Sequence, residues 1–191
     1  MSRTQKAVYI SLLAAQATVI SLVEGMLPNL LAFAPGAKIG LANMVTLVAI
    51  FSLSFKDSFK VVTMRLLLTS LLGGTLSTFM YSFAGSYLSF LGMVLVRMLG
   101  PKRVSFIGIS TTGGILFNVG QLAVASIIAQ SFTVMLYLPV LSFAGIIAGI
   151  IVGIVGNFMM KNIATIRKMQ SEEAQNNELS RRWYEASLEN E

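Results

Sequence analysis

The chain has no cysteine and no histidine among its 191 residues. These two absences exclude disulfides, thiol redox chemistry, metal sites built from Cys or His, and catalysis by a nucleophile paired with histidine. Carboxylates are also scarce, because Asp57 is the single aspartate and Glu24 is the one glutamate before residue 170. We therefore predict no metal, no cofactor and no catalytic residues.

Charged residues make up only 12% of the chain, whereas soluble domains usually carry about 25%. Hydrophobic residues make up 55%, and the mean hydropathy is +0.76. Residues 1–169 hold twelve Lys and Arg against two carboxylates, so the net charge of +6 reflects a basic excess in this part of the chain, where the cations flank apolar runs. Cations in that arrangement indicate membrane topology rather than nucleic-acid binding. The composition predicts an all-α integral membrane protein.

Apolar runs long enough to cross lipid predict six transmembrane helices. The clearest breaks between runs are a loop with two prolines at 27–38 and charged turns at 56–60 and 100–103. Residues 61–99 are too many for one helix, and glycines between 73 and 85 predict the turn that divides them. The predicted spans are residues 7–26, residues 39–55, two short spans within 61–99, residues 104–128 and residues 134–160.

Lys and Arg cluster at the N-terminus, after the second span, before the fifth span and after the sixth span. The positive-inside rule places all four clusters in the cytoplasm, which requires an even number of crossings between them. Six spans with both termini in the cytoplasm satisfy this condition. We expect the membrane to be the inner membrane of a bacterial cell. We expect a six-helix transmembrane domain at 1–165 and a polar, solvated cytoplasmic tail at 166–191.

One segment carries a recognisable motif. Residues 28–43 begin with Pro-Asn-Leu-Leu-Ala-Phe-Ala and end with Pro-Gly-Ala-Lys-Ile-Gly-Leu-Ala-Asn. This segment resembles the signature of the Gx transporter family, also labelled heptaprenyl diphosphate synthase component I, and the resemblance covers most of residues 5–165. That family is similar to the S components of energy-coupling-factor (ECF) transporters. The resemblance implies a six-helix bundle that captures a vitamin-like solute and works with a T component and two ATPase subunits.

The synthase label can be compared with the residues present. Prenyl diphosphate synthases hold magnesium with clusters of aspartates, because a diphosphate leaving group needs carboxylate-bound cations. A chain with Asp57 as its single aspartate cannot build such a cluster. We predict that the chain does not transfer prenyl groups itself, which leaves partnership with such an enzyme open.

Polar residues on the extracellular half of the predicted bundle form the candidate substrate site, because polar groups in hydrocarbon face a cavity or a partner. Asn118 and Gln121 share a helix face, and Tyr81, with Tyr87, is expected to flank the turn between the third and fourth helices. The predicted substrate-binding residues are Glu24, Lys38, Asn43, Tyr81, Asn118 and Gln121.

Structural roles remain open for several of these residues. Lys38 could instead anchor at the lipid interface, or pair with Glu24, while Asn118 and Gln121 could bond only to neighbouring helices. Arg65 and Arg97 lie about a turn from charged cytoplasmic loops and are expected to extend towards them, although either could contact a partner.

Small residues recur every four positions on the first helix, which lets another helix approach closely. In S components such a face contacts the T component, so the resemblance implies a partner interface at Ser11, Ala14, Ala15 and Thr18. Packing within the bundle is the alternative for any one row. Gly145, Gly149 and Gly153 show the same spacing on the sixth helix, where we expect intramolecular packing.

We expect an S-component-like subunit that captures a small amphipathic solute of isoprenoid, quinone-related or vitamin-like character, and Lys38 favours an anionic one. The alternative is a non-catalytic accessory membrane subunit of quinone or prenyl diphosphate biosynthesis, or of extracellular electron transfer.

Overall fold

The computed structural model describes residues 3–26, 38, 40–73 and 75–188, and within these ranges it contains helices and no strand. The predicted loop at 27–38 lies, except for Lys38, outside the described residues. The helices are α1 (Arg3–Met26), α2 (Asn43–Ser52), α3 (Phe55–Gly73), α4 (Leu76–Arg97), α5 (Phe106–Ile128), a 3-10 helix (Phe132–Tyr137), α6 (Leu138–Asn162), α7 (Ala164–Asn176) and α8 (Glu178–Leu188).

Four helical segments are long and apolar enough to cross a membrane: α1, α4, α5, and the 3-10 helix continued into α6. They expose large apolar side chains such as Phe143 and Phe158, which are 65% and 64% exposed. Exposed apolar side chains on such helices suit contact with lipid tails rather than water. The all-helical membrane character expected from the sequence is thus supported, with four candidate spans by length and composition, and the predicted number of six is not reached by these criteria within the described residues.

α2 is shorter than the predicted span at 39–55. It has ten residues, which is about 15 Å of helix against a hydrocarbon layer of about 30 Å. Gly40 adopts a left-handed conformation (φ 96°) ahead of the helix, and Leu53 is extended just after it. All residues of α2 except Met44 are buried, so α2 is a short helix enclosed by the longer ones.

α3 and α4 meet at the beginning of the region in which the turn was predicted, since α3 ends at Gly73 and α4 begins at Leu76. The Thr75 side chain caps α4 by accepting a hydrogen bond of 3.2 Å from the backbone N–H of Thr78. Tyr81 and Tyr87 therefore both lie within α4, and the prediction that they flank the turn is wrong. The reason is this cap, which starts α4 before either tyrosine.

The helix ends that carry the four cation clusters meet at one end of the molecule, which we call the basic end. Lys6 of α1 forms a salt bridge with Asp57 at the start of α3, with 2.6 Å between Lys6 Nζ and Asp57 Oδ2. The Phe51 ring, near the end of α2, lies 4.6 Å from the ring of Phe106, the first residue of α5. The same Phe51 ring lies 5.1 Å from the Trp183 ring of α8. The arrangement agrees with the expectation that all four clusters share one side.

Glycines bring α5 and α6 into close contact. A Cβ atom at Gly114 would lie 2.2 Å from the carbonyl oxygen of Gly145, and one at Gly149 would lie 2.5 Å from the Cα atom of Thr111. The two backbones can approach this closely because glycine has no Cβ atom. The intramolecular packing predicted for the α6 glycines is confirmed.

α7 and α8 fold back onto the basic end, so the prediction of a solvated tail is wrong for the packed faces of these helices. Trp183 is buried, and its indole N–H donates to the carbonyl oxygen of Arg97 over 3.1 Å. Arg97 in turn donates to Ser180 Oγ over 2.8 Å, and its guanidinium lies over the Phe51 ring. Arg97 is therefore engaged inside the protein rather than extended towards a loop.

Candidate functional site

A polar cavity lies in the half of the bundle away from the basic end. Its volume of about 20 Å³ is room for about one water molecule. It contains the side chains of two cations and one carboxylate, a net charge of +1 if all three are ionised. The described lining residues are Ser21, Glu24, Lys38, Gly40, Ala42, Arg65, Leu66, Thr69, Ser70, Thr78, Phe79, Ser82, Ser86 and Phe117.

Glu24, in the last turn of α1, holds the backbone that leads into α2. Its carboxylate accepts hydrogen bonds from the backbone N–H groups of Gly40 and Leu41, the latter over 3.3 Å. These groups precede α2, where a negative charge also interacts favourably with the helix dipole. Glu24 is only 6% exposed. Part of its role is therefore to fix the entry to α2.

Lys38 is held in the cavity from two directions. Its ammonium group donates to the carbonyl oxygen of Ser21 over 3.2 Å. Gln121 clamps its backbone, since the side-chain amide of Gln121 accepts from the Lys38 N–H and donates to the Lys38 carbonyl, each over 2.9 Å. With 8% exposure, Lys38 is not an anchor reaching to the lipid interface.

Glu24 and Lys38 do not satisfy each other directly. In the described part of the chain, the hydrogen bonds of both side chains go to backbone groups, and no ion pair within 4.0 Å joins them. A direct mutual ion pair, one of the two alternatives left open by the sequence, is therefore absent here.

Asn118 serves the helix packing rather than the cavity. Its amide donates to the carbonyl oxygen of Leu141 on α6 over 2.8 Å and to that of Gly114 over 3.2 Å. Its side-chain oxygen accepts from Gln121 over 3.3 Å. Asn118 thus positions Gln121, which in turn holds Lys38.

Asn43, the first residue of α2, is the least satisfied of the predicted site residues. It is 3% exposed, yet neither its amide nitrogen nor its amide oxygen has a hydrogen-bond partner among the described residues. A Cβ atom built on Gly40 would lie 3.1 Å from this amide nitrogen, which places Asn43 beside the cavity wall. Buried amides usually have a hydrogen-bond partner, so Asn43 departs from the usual pattern among the described residues.

The sequence did not predict that Arg65, the eleventh residue of α3, belongs to the cavity. Its side chain is 3% exposed and donates to the hydroxyl of Ser86 on α4. It faces the cavity with Thr69, four residues further on. Polar residues four apart in an apolar helix share one face, and this signal could have identified the cavity face of α3. The expectation that Arg65 extends to a cytoplasmic loop is wrong.

Tyr81 is not brought to the cavity, because it is half-buried on α4 and does not belong to the described lining residues. Tyr87 contacts α3 instead, through a 2.8 Å hydrogen bond with Thr63.

The predicted partner face on α1 divides into two rows. Ala14 and Thr18 are buried in the bundle, and the Thr18 hydroxyl donates to the Ala14 carbonyl over 2.8 Å. Ser11 and Ala15 are exposed, next to exposed Leu12. Any partner contact on this face would therefore use Ser11 and Ala15, since Ala14 and Thr18 already pack internally.

Helices of membrane-spanning length, an apolar outer surface and a buried polar cavity define a multi-helix integral membrane protein. The described residues contain no group of three acidic side chains that could hold a metal ion. The chain belongs to the heptaprenyl diphosphate synthase component I family, whose profile matches residues 13–159. The match includes the whole described cavity and ends within α6. Comparisons with curated proteins and with solved structures return no match.

Proposed function

We propose that this chain is a non-catalytic, substrate-binding membrane subunit of the S-component type, which captures a small anionic or amphipathic solute in the polar cavity. The observation that carries the proposal is the charge of the cavity. Lys38 and Arg65 are both buried there, and Glu24 supplies the one carboxylate in the described lining. An uncompensated cation in low dielectric is costly, so an anionic group of a ligand would stabilise the site.

The walls of the cavity support an amphipathic ligand. Leu66, Phe79 and Phe117 supply apolar surface, while hydroxyl groups on α3 and α4 supply donors and acceptors. Sites for small molecules usually combine apolar walls with a few placed polar groups. In the present structure the cavity has room for about one water molecule, so the proposal requires the helices around it to separate when solute enters.

Coupling to partners is the second part of the proposal. The row containing Ser11 and Ala15 presents small exposed side chains on the outside of α1, as a close helix contact requires. We propose that a T component and its two ATPases bind this side. The family's description as a synthase component makes a prenyl diphosphate synthase partner the competing outcome.

The test combines native mass spectrometry with co-purification in mild detergent. We expect the wild-type protein to retain a small anionic molecule, Lys38→Met to lose it, and Lys56→Met to keep it. Lys56 is the matched control, because it is an exposed lysine at the basic end. We expect ATPase subunits to co-purify with all three proteins.

Retention of the same molecule by Lys38→Met, or its absence from every preparation, would contradict the solute site. Recovery of a prenyl-transfer enzyme without ATPases would replace transport by the accessory role in biosynthesis.

A further inference from the structure

A second concave site lies at the basic end, outside the polar cavity. It is a groove of about 520 Å³ where α5 begins and α6 ends, and we call it the basic groove. Lys102, Arg103 and Lys161 line it together with Ser105 and Trp183. The volume is that of an ordinary small-ligand site.

The electrostatics of the basic groove favour an anion. Lys102 and Arg103 face it as exposed cations, and no acidic residue belongs to its lining within the described chain. Lys102 and Arg103 come from the loop before α5, whereas Lys161 comes from the last turn of α6. The positive-inside rule requires these cations to be on one side of the membrane, but it does not require them to converge on one groove.

The first turn of α5 adds to the positive potential. Ser105 caps this helix by accepting a 3.1 Å hydrogen bond from the Gly108 N–H, and Phe106 at the first helical position also lines the groove. The N-terminus of a helix carries a partial positive charge and unpaired N–H groups, both of which favour phosphate.

The position of the groove along the helices indicates where its ligand comes from. α5 and α6 belong to segments long enough to span a membrane, and the groove lies at the start of α5 and the end of α6, where segments of this length would leave the apolar layer. Lipid phosphates are found at this depth, and basic pockets between transmembrane helices bind anionic headgroups. Val104 and Phe106 provide an apolar wall next to the cations.

We propose that the basic groove binds the phosphate headgroup of an anionic phospholipid from the adjacent leaflet. Binding there holds the start of α5, the end of α6 and α8 together through one ligand. This site is independent of the proposed solute site, which uses other residues in the opposite half of the bundle.

Trp183 gives a direct measurement, because it lines the groove and is the sole tryptophan of the chain. The purified full-length protein in a neutral detergent is titrated with dihexanoyl phosphatidylglycerol while tryptophan emission is recorded. We expect a saturable change, weakened by added salt, and no saturable change with dihexanoyl phosphatidylcholine. A third titration uses inorganic pyrophosphate, which tests whether the groove binds a soluble phosphate compound instead of a lipid.

The charge variants make the test specific. In Lys102→Gln/Arg103→Gln we expect the apparent affinity for phosphatidylglycerol to fall about 25-fold, because each of the two cations contributes a factor of about five near an anionic lipid. Lys56→Gln/Lys168→Gln is the matched control, since it removes two exposed cations outside the groove lining, and we expect its affinity to be unchanged.

Equal responses to the two lipids, equal weakening in both double variants, or no response to phosphatidylglycerol would overturn the proposal. Tighter saturable binding of pyrophosphate than of phosphatidylglycerol would overturn the assignment to a lipid. Size-exclusion profiles and thermal unfolding of each variant verify that a lost response reflects the groove and not misfolding.

Discussion

Glu24, Lys38 and Arg65 show that individual charges in the cavity have unequal roles. Glu24 compensates both cations and also holds the backbone before α2 through Gly40 and Leu41. Lys38 makes its side-chain hydrogen bond to one carbonyl, and Arg65 makes its own to one hydroxyl. Removing the carboxylate leaves two buried cations with no opposite charge, whereas removing Lys38 leaves one cation and one anion.

This inequality predicts different stabilities for two neutralising substitutions. Glu24→Gln should lower the free energy of unfolding by about 3–5 kcal/mol, as expected when a buried charge loses its partner. Lys38→Met should change it by about 1 kcal/mol or less, the net value of one hydrogen bond. Thermal unfolding in detergent, followed by loss of the monodisperse size-exclusion peak, measures both.

The double variant Glu24→Gln/Lys38→Met distinguishes this explanation from a mutual ion pair. It keeps Arg65 as one uncompensated cation, so we expect a stability between those of the two single variants. Equal losses in the single variants, followed by near-complete recovery in the double variant, would mean that Glu24 and Lys38 stabilise each other directly.

At the scale of elements, the contact between α5 and α6 depends on glycine spacing rather than on large side chains. The backbone atoms that face Gly149 belong to Ser110 and Thr111 and cannot move aside without moving α5. A glycine elsewhere on α5, Gly108, has only a serine hydroxyl 3.7 Å from the place of its Cβ. The two positions therefore form a matched pair for the same substitution.

We predict that Gly149→Ala lowers the free energy of unfolding by about 1–3 kcal/mol, the usual cost of overpacking. Gly108→Ala should be neutral or stabilising by up to about 1 kcal/mol, since alanine favours helix and its Cβ would meet the Ser105 hydroxyl at an ordinary contact distance. Denaturant unfolding monitored by circular dichroism compares them. Equal stabilities would show that α6 can shift away from α5 without loss.

At the scale of the whole molecule, the basic end unites groups that are far apart in the chain. Lys6 and Asp57 connect the starts of α1 and α3, while Trp183 of α8 contacts both Arg97 and Phe51. The basic groove belongs to the same end. Under the proposed topology this end faces the cytoplasm, and the connection between α5 and the 3-10 helix faces outside.

Single cysteines test that orientation against a background free of native cysteine. Gln130→Cys, between α5 and the 3-10 helix, should react in intact cells with a thiol reagent that does not cross the membrane. Ser171→Cys on α7 should react only after the cells are permeabilised. Labelling of Ser171→Cys in intact cells would reverse the proposed orientation.

The sequence by itself determined the properties that depend on composition and on local pattern. Low charge and long apolar runs predicted a helical membrane protein, and the motif around Lys38 identified the family. Four-residue glycine spacing predicted the packing surface of α6, because residues four apart share one helix face. The structure also places Glu24 and Lys38 in one cavity and bonds Gln121 to Lys38, and their binding of a solute stays a prediction.

Tertiary structure alone decided which polar groups meet. Gln121 holds Lys38 across 83 residues of sequence, and Trp183 contacts Arg97 across 86. Arg65 was expected to extend towards a loop because charged residues precede it in the chain, but it is enclosed instead beside Ser86 of α4. Local pattern specifies a helix and its apolar face, whereas the partner of a buried charge depends on which other helix packs there.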